Sequence, residues 1–487
     1  MVGKRFDGEL LKLAVDTSVR SGAKEVTTKL VEEEKHQIRF SKSSIDVNKE
    51  WKTYYLDIFL SKGHRFSLGR KINALTIQDP NKKKIKRRVP KQVKLLDEMP
   101  KSKLYWGMDK DSHSHYPSID GLYDKRIENF SDKAPELAKE TIDISEKAGA
   151  KNVAGVLHSG SSKVGVLTGY GNGGTYKNSY CRTTIRSYRD KTSSGQGLVA
   201  TRDLSGIEDK FKKAGKKAGR LAKRSAGGKE GSAGTYDLIM SPAVGANIFG
   251  NLLSGANPIM MISGMSPLKK KTGEQIGPEG LTVIDDPLME DGLNSRPLDS
   301  EGTPSERTPL IKNGSFSGPI HNTSTAKFWR FINTIKLRFW KRPKTTSNST
   351  LGPMGMTGTE EDPRALMPAP TNYRFKKGEY SLEEMINTSS RPTIYLTSNW
   401  YTRFTNMREG EFSTVPRDAT FLIKDGEIKK PIRNLRLKGN LLEMCENIEA
   451  IGKDLKQIKW WTVETPTLIP HMKVKNCEFT KAKGKSS

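Results

Sequence analysis

The sequence predicts an α+β protein built from two domains. Residues 8–22 place apolar side chains at helical spacing, which is typical of an amphipathic helix. Several later segments alternate polar and apolar residues with a period of two, which is typical of half-buried antiparallel strands. Glycines are concentrated at residues 227–234, and this turn-forming composition predicts a linker between the domains.

The N-terminal domain, residues 1–226, is predicted to be an α/β layer with an antiparallel meander. After the first helix, short strands are expected at residues 37–40, 54–60 and 64–68. A second helix is predicted from about Pro135 to Ala148. Further strands are expected at residues 153–159, 164–168, 180–189 and 193–201, followed by a basic helix at 211–224.

The C-terminal domain, residues 235–487, opens with a predicted strand at 236–240 and a helix at 242–253. Mixed strand and loop sequence follows, which favours a large mixed or antiparallel sheet with flanking helices. Residues 327–342 form an amphipathic basic insertion, with Phe328, Ile332, Ile335 and Phe339 on one helical face. With Trp329 and Trp340, such a helix either binds a partner groove or an anionic membrane, or docks on its own domain.

The composition is strongly basic, with 83 Lys and Arg against 55 Asp and Glu and a net charge of +28. This charge makes nucleic acid a possible partner class. The basic runs 82–88 and 210–224 contain no interleaved aromatic residues for base stacking, which favours a solvated basic face. No apolar run is long enough to cross a bilayer and the first residues resemble no signal peptide, so we expect a cytoplasmic protein.

Three groups of residues resemble catalytic or binding motifs but favour structural interpretations. His113 and His115 lie beside Asp109 and Asp111, in a polar segment typical of a loop rather than a metal site. His158 with its neighbouring serines lacks a spaced acidic partner for a nucleophile. The glycine-rich run 160–174 opens no helix and predicts a hairpin turn instead of a phosphate loop.

Several C-terminal segments resemble the C-terminal domain of the TldD/TldE family, also called PmbA or modulator of DNA gyrase. The similar segments are 281–287, 297–308, 410–413, 421–432, 439–454 and 467–474. Residues 299–302 read Asp-Ser-Glu-Gly, the wording of TldE members, which favours the TldE branch. A weaker pattern at residues 38–70 extends the resemblance to the N-terminal domain.

The resemblance implies a metal site that this chain lacks. Active TldD members carry His-Glu-x-x-x-His on the first helix of this domain, and a later Cys, to hold one metal. In the corresponding window Ala246 and Asn251 replace the histidines, and Asn247 replaces the glutamate. Since alanine and carboxamide side chains are poor zinc ligands and asparagine is no base, we expect neither metal nor catalysis in this chain.

The expected function is therefore that of a non-catalytic TldE-like subunit. It would pair with a zinc-containing TldD-like chain, or with itself, in a complex that degrades or processes unfolded peptides. Candidates for lining the peptide or the interface, or else for plain core, are Tyr373, Phe375, Trp400, Tyr401 and Phe404. The alternative is a basic peripheral protein that binds nucleic acid or an anionic membrane without a proteolytic role.

Overall fold

The computed structural model describes residues 8–63, 69–336, 342–353 and 364–482. Helices and antiparallel strands are mixed throughout these residues, which confirms the predicted α+β class. The helices are α1 (Gly8–Arg20), α2 (Lys82–Leu95), α3 (Phe130–Lys147), α4 (Ile207–Arg224), α5 (Pro242–Ser254), α6 (Pro258–Ser263), α7 (Thr323–Ile335), α8 (Leu382–Asn387) and α9 (Leu441–Glu446).

The first half of the chain forms a seven-stranded antiparallel sheet in the order β4-β3-β2-β1-β5-β6-β7. Helices α1 and α2 pack together against one part of the sheet, and α3 and α4 pack together against β5, β6 and β7. The strands are β1 (Glu25–Ser41), β2 (Ser44–Lys62), β3 (Arg70–Gln78), β4 (Lys101–Ser102), β5 (Asn152–Thr168), β6 (Gly173–Tyr188) and β7 (Ser194–Thr201).

Strands β1 and β2 form a hairpin much longer than the predicted short strands. They span 17 and 19 residues and meet at Lys42 and Ser43, whose φ angles of 46° and 62° form a tight turn. The predicted strands at 37–40 and 54–60 lie inside this hairpin. The predicted strand at 64–68 lies outside the described residues.

The basic run at residues 82–88 begins α2. Asn81 caps this helix by accepting a hydrogen bond from the backbone N–H of Lys84. Ile85, Val89 and Val93 are buried on one face of the helix, while Lys83 is exposed. Helical spacing therefore separates an apolar stripe, which packs on the domain, from the charges of this run.

Strands of the second half form two large sheets. Strands β16, β9, β23, β19 and β17 pair in a closed ring, because β16 pairs with both β9 and β17. The six-stranded sheet has the order β12-β11-β10-β15-β22-β21. Strands β13 and β14 pair with each other in a separate two-stranded sheet. The strands of this half are β8 (Lys229–Glu230), β9 (Gly234–Met240), β10 (Val283–Asp285), β11 (Thr308–Lys312), β12 (Ser315–Phe316), β13 (Ser349–Pro353), β14 (Arg364–Pro368), β15 (Tyr373–Phe375), β16 (Thr393–Asn406), β17 (Glu411–Lys424), β18 (Glu427–Arg433), β19 (Leu435–Asn440), β20 (Ile448–Ile451), β21 (Lys456–Trp460), β22 (Val463–Ile469) and β23 (Met472–Lys481).

The predicted linker at 227–234 is ordered and contributes to the second half. Its residues 229–230 form β8, which pairs with the end of β18, and Gly231 donates its backbone N–H to the carbonyl of Arg433. The seven-stranded sheet uses only residues before 202, and the other sheets use only residues after 228. The division into two domains stays a prediction, since the two halves pack closely against each other.

Arg202 joins the two halves. Its side chain is 1% exposed, and burial lowers the pKa of its guanidinium to about 10. The guanidinium donates to five backbone carbonyls, those of Leu122, Ser179, Gly292, Leu293 and Ser295. The first two carbonyls belong to the N-terminal half and the last three to one loop of the C-terminal half. The side chain of Arg202 therefore bonds the two halves to each other.

A second joint is the buried loop at residues 299–303. The side chains of Asp299 and Glu301 are completely buried, and burial raises the pKa of both carboxyl groups; the nearby Asp299 charge raises that of Glu301 further. Thr27 of β1 donates to the carbonyl of Ser300, and Thr303 donates to Asp109. The Asp-Ser-Glu-Gly segment is therefore packed against the N-terminal sheet.

Within the described residues, no helix combines the length and the apolar character that crossing a lipid bilayer requires. The three cysteines are buried and unpaired, and burial raises the pKa of each thiol.

We predict that Arg202→Lys lowers the free energy of unfolding by at least about 3 kcal/mol, because lysine cannot supply the five fixed donors and leaves buried carbonyls without partners. Chemical denaturation would measure this loss. Arg220→Lys, on the exposed face of α4, is the matched control and should change stability by about 0.5 kcal/mol or less. Equal effects of the two substitutions would contradict the role assigned to Arg202.

Candidate functional site

Helix α5 is the centre of the C-terminal half. Ser241 caps it, since its hydroxyl accepts from the N–H of Val244 and donates to the carbonyl of Thr397, and Pro242 occupies the first turn. Ten of its residues are buried, because the helix packs between β16 of the ring and β22 of the six-stranded sheet. The predicted motif window, residues 246–251, lies on this helix.

Asn247, which the family resemblance predicts to replace the motif's glutamate, is held by side-chain hydrogen bonds. Its side-chain carbonyl accepts from Asn399 at 2.8 Å and from the hydroxyl of Thr402 at 2.5 Å. Its amide nitrogen donates to the backbone carbonyl of Thr462 at 2.7 Å. Asn247 therefore links α5 to β16 and to the turn between β21 and β22.

The residues of this window do not fit a metal. Ala246 offers no lone pair, and the amide of Asn251 donates to the backbone carbonyl of Asn247. The carbonyl oxygen of Asn247 is already occupied by two donors. No group of three His, Cys, Asp or Glu side chains with metal-binding geometry occurs among the described residues.

A cavity of about 410 Å³ lies along the flank of α5, next to Asn247. Its polar walls include Arg403 and Glu464, and Trp461 is 59% exposed beside it. The lining comprises Ala246, Asn247, Gly250, Asn251, Ser254, Tyr373, Tyr401, Thr402, Arg403, Trp461, Thr462, Val463, Glu464 and Thr465. Such a site, partly aromatic and partly charged, is suited to binding an organic ligand.

The five aromatic candidates fall into three groups. Tyr373 and Tyr401 line this cavity, although Tyr373 is only 2% exposed and Tyr401 is 48% exposed. Phe375 is buried against Phe249 with ring centroids 6.2 Å apart, and Phe404 packs against the same core, so both are core residues. The fifth, Trp400, belongs to an adjoining aromatic cluster described next.

Trp461 is the site residue that sequence reasoning missed. Its ring lies 5.3 Å from that of Trp400 and 6.3 Å from that of Tyr401, in edge-to-face contacts. Arg186 and Arg417 lie over the ring of Trp400 at 4.4 and 5.0 Å. The Trp-Trp pair at 460–461 was the available signal, but only the fold brings it to Trp400.

The other sequence candidates have structural roles. His113 binds Asp109 at 2.7 Å in a loop, and His115 is exposed. The glycine-rich run forms the β5–β6 hairpin, which confirms that prediction. The fold pairs Ser159 not with His158 but with His36, at 3.4 Å, and His36 binds Asn48 at 2.6 Å. The adjacent cavity measures only about 90 Å³, which is too small for a peptide.

Helix α7 differs from the predicted insertion helix of residues 327–342. It begins at Thr323, because Asn322 caps it, and it ends at Ile335. Phe328 packs edge to face on Trp106 at 5.8 Å, and Trp329 packs against the main C-terminal core. Ile332 is half-buried and Ile335 is 62% exposed. The other two candidates, Phe339 and Trp340, lie outside the described residues, so binding of a partner or membrane stays a prediction.

The sequence and the fold are both similar to those of known proteins. The profile described as PmbA/TldA metallopeptidase C-terminal domain matches residues 233–481, just over half of the sequence. The molecule is thus an α+β protein whose second half is a metallopeptidase-type C-terminal domain. It belongs to the PmbA/TldD metallopeptidase family.

Relatives of this chain are named as metalloproteases, which agrees with the family match. A metalloprotease of Methanothermobacter thermautotrophicus is 28% identical over 273 residues, 55% of this chain and 52% of that protein. Metalloprotease PmbA of Escherichia coli O157:H7 is 26% identical over 246 residues, 49% of this chain and 45% of that protein. The chain therefore spans about half the length of the curated relatives it matches.

The fold is similar to a solved structure over nearly the whole chain. TldE from Thermococcus kodakarensis superposes with a TM-score of 0.80, covering 97% of this chain and 100% of that one. The sequence identity is 17%, so this similarity shows the shared fold alone.

We predict that Asn247→Ala lowers the free energy of unfolding by about 2 to 3 kcal/mol, because it leaves buried donors and the Thr462 carbonyl without their partner. Asn251→Ala, one turn further along and half-buried, is the control and should cost about 1 kcal/mol or less. Urea denaturation of both variants would measure the difference. Similar losses would mean that the Asn247 bonds do not support the site.

A second prediction concerns α7. Trp329→Ala should cost about 2 to 3 kcal/mol, less than a fully buried tryptophan, because the ring is partly buried against the core. Ile335→Ala, in the same helix but exposed, should cost about 0.5 kcal/mol or less. If Trp329→Ala leaves stability unchanged, the helix is not part of the folded core, and its aromatic residues are free for a partner.

Proposed function

We propose that this chain is the non-catalytic, TldE-like subunit of a TldD/TldE-type metalloprotease complex that degrades or processes unfolded peptides. The observation that carries the proposal is the chemistry and hydrogen bonding of Asn247. Where the family resemblance predicts the catalytic glutamate, this chain has a carboxamide whose oxygen already accepts two hydrogen bonds. A carboxamide is a poor zinc ligand and is not basic enough to take a proton from water.

A further observation supports the TldE assignment. The buried loop at 299–302 carries the Asp-Ser-Glu-Gly wording of TldE members and packs against the N-terminal sheet. On this proposal the zinc belongs to a TldD-like partner, and this chain pairs with that partner or with a second copy of itself.

The cavity beside Asn247 suits the peptide-binding role. Tyr401 and Trp461 offer exposed aromatic surface, and Arg403 and Glu464 offer charges of opposite sign. An unfolded segment has side chains of every class to place against such walls, and its backbone is free to pair with exposed strand edges. The chain would thus hold extended peptide while the partner's metal cleaves it.

The alternative is a basic peripheral protein that binds nucleic acid or an anionic membrane. Its polyanion binding would weaken steeply between low and physiological salt, whereas a largely apolar subunit interface would not. No specific contact in the described residues favours this alternative over the subunit role.

We predict that the purified chain holds far less than one zinc per molecule, and that it forms a two-chain particle with a TldD-like partner or with itself. Elemental analysis measures the metal, and light scattering measures the mass. One tightly held zinc per chain that survives mild chelation would contradict the non-catalytic assignment. A strictly monomeric protein, with and without the candidate partner, would contradict the subunit role.

A further inference from the structure

A second cavity, of about 470 Å³, lies where the two halves of the chain meet. It is bounded by β7 and α4 from the N-terminal half and by β21 and the start of α5 from the C-terminal half. The lining residues are Gln196, Leu198, Val199, Ala200, Thr201, Lys210, Lys213, Ala214, Lys217, Pro242, Ala243, Asp291, Thr397, Leu455, Lys456, Gln457, Ile458 and Leu468. None of them is aromatic, and only Asp291 carries a negative charge.

Four lysines converge on this cavity. Lys210, Lys213 and Lys217 share one face of α4, and Lys456 projects from β21. Only Lys210 has an acidic neighbour among the described residues, Asp203 at 3.6 Å. Burial and the charge of Lys456 lower the pKa of Lys217 to about 8. The four lysines therefore outnumber the one carboxylate in the lining of this cavity, that of Asp291.

Gln196 adds an uncharged hydrogen-bond donor to the lining of this cavity. Its neighbours Gly195 and Gly197 face α4 so closely that a Cβ on either would lie 2.3 or 2.2 Å from a backbone carbonyl of that helix. Strand alternation therefore sends the side chain of Gln196 to the opposite face, where it lines the cavity. It is 4% exposed, and its amide nitrogen is buried without a hydrogen-bond partner among the described residues.

Two neighbouring features are compatible with an anion. Pro242 and Ala243 line the cavity, so the positive end of the α5 dipole faces it. The carboxylate of Asp291 already accepts hydrogen bonds from the backbone of Arg202, the hydroxyl of Thr201 and the amide of Gln457. These donors partly neutralise its charge.

We propose that this cavity binds a small organic phosphate, with its phosphate group against Lys217, Lys456 and the amide of Gln196. A phosphate dianion offers enough charge and acceptor oxygens for several lysines and an orphan amide, which a single carboxylate does not. Leu198, Ile458 and Leu468 provide an apolar surface for the rest of the ligand. Since no aromatic residue is present to stack a base, we favour a non-nucleotide ligand over a nucleic acid strand.

Such a ligand would contact both halves of the chain and so stabilise their packing. This role is independent of peptide processing, because the cavity lies at the end of α5 and shares no lining residue with the cavity beside Asn247.

The test is calorimetric titration of the full chain with inorganic phosphate and with glycerol 3-phosphate in a phosphate-free buffer, with succinate and glycerol as comparison ligands. We expect saturable binding of both phosphates. Lys217→Met and Gln196→Leu should each weaken it about tenfold or more, because each removes a buried donor to the anion. Lys216→Met, an equal loss of charge at an exposed position of the same helix that does not line the cavity, should leave binding unchanged.

Absence of saturable phosphate binding would overturn the proposal. Equal weakening by Lys216→Met, or equal binding of succinate, would also overturn it, because either result indicates general attraction to a basic surface. Lys217 has no ion-pair or hydrogen-bond partner to lose within the part of the chain that the structure describes, so Lys217→Met should fold, and circular dichroism checks this. If that variant does not fold, unchanged binding by Gln196→Leu still rejects the proposal.

Discussion

The packing of the two halves depends on the buried guanidinium of Arg202. A charged group that is 1% exposed is stable only when its donors are satisfied, and here five backbone carbonyls from both halves do so. The half-buried Arg186 of β6 adds an ion pair with the buried carboxylate of Asp418 of β17 at 2.7 Å. Separating the two halves would leave these charged groups without partners, which costs free energy. This cost favours one arrangement of the N-terminal sheet against the C-terminal half.

That arrangement determines what surrounds α5. Its flank meets Asn399 and Thr402 of β16, so the predicted motif window lies in a hydrogen-bonded polar cluster beside a cavity. Its N-terminus faces the lysine-lined cavity between the halves. Through Asn247 the helix is bonded to β16 and to the turn between β21 and β22.

Much of this was predictable from local sequence and some was not. Alternation and helical spacing predicted the α+β class, and family resemblance located the window at 246–251. Helix α2 was not predicted, because its many charged residues outweigh the apolar residues that recur every four positions. Arg202 lies 23 to 93 residues along the sequence from the carbonyls that it binds, and Trp400 lies 61 residues from Trp461. Local sequence patterns do not predict contacts at such separations. The start of α7 at Thr323 is set by its Asn322 cap rather than by its apolar face.

The proposed subunit role is tested most directly by hydrolysis of an unfolded peptide by the purified chain, with zinc added, alone and mixed with a TldD-like partner. We expect no turnover by the chain alone and chelator-sensitive turnover by the mixture. We also expect Trp461→Ala in this chain to raise KM for the mixture, because Trp461 is exposed beside the proposed peptide cavity. Chelator-sensitive hydrolysis by the chain alone would contradict the proposed non-catalytic role.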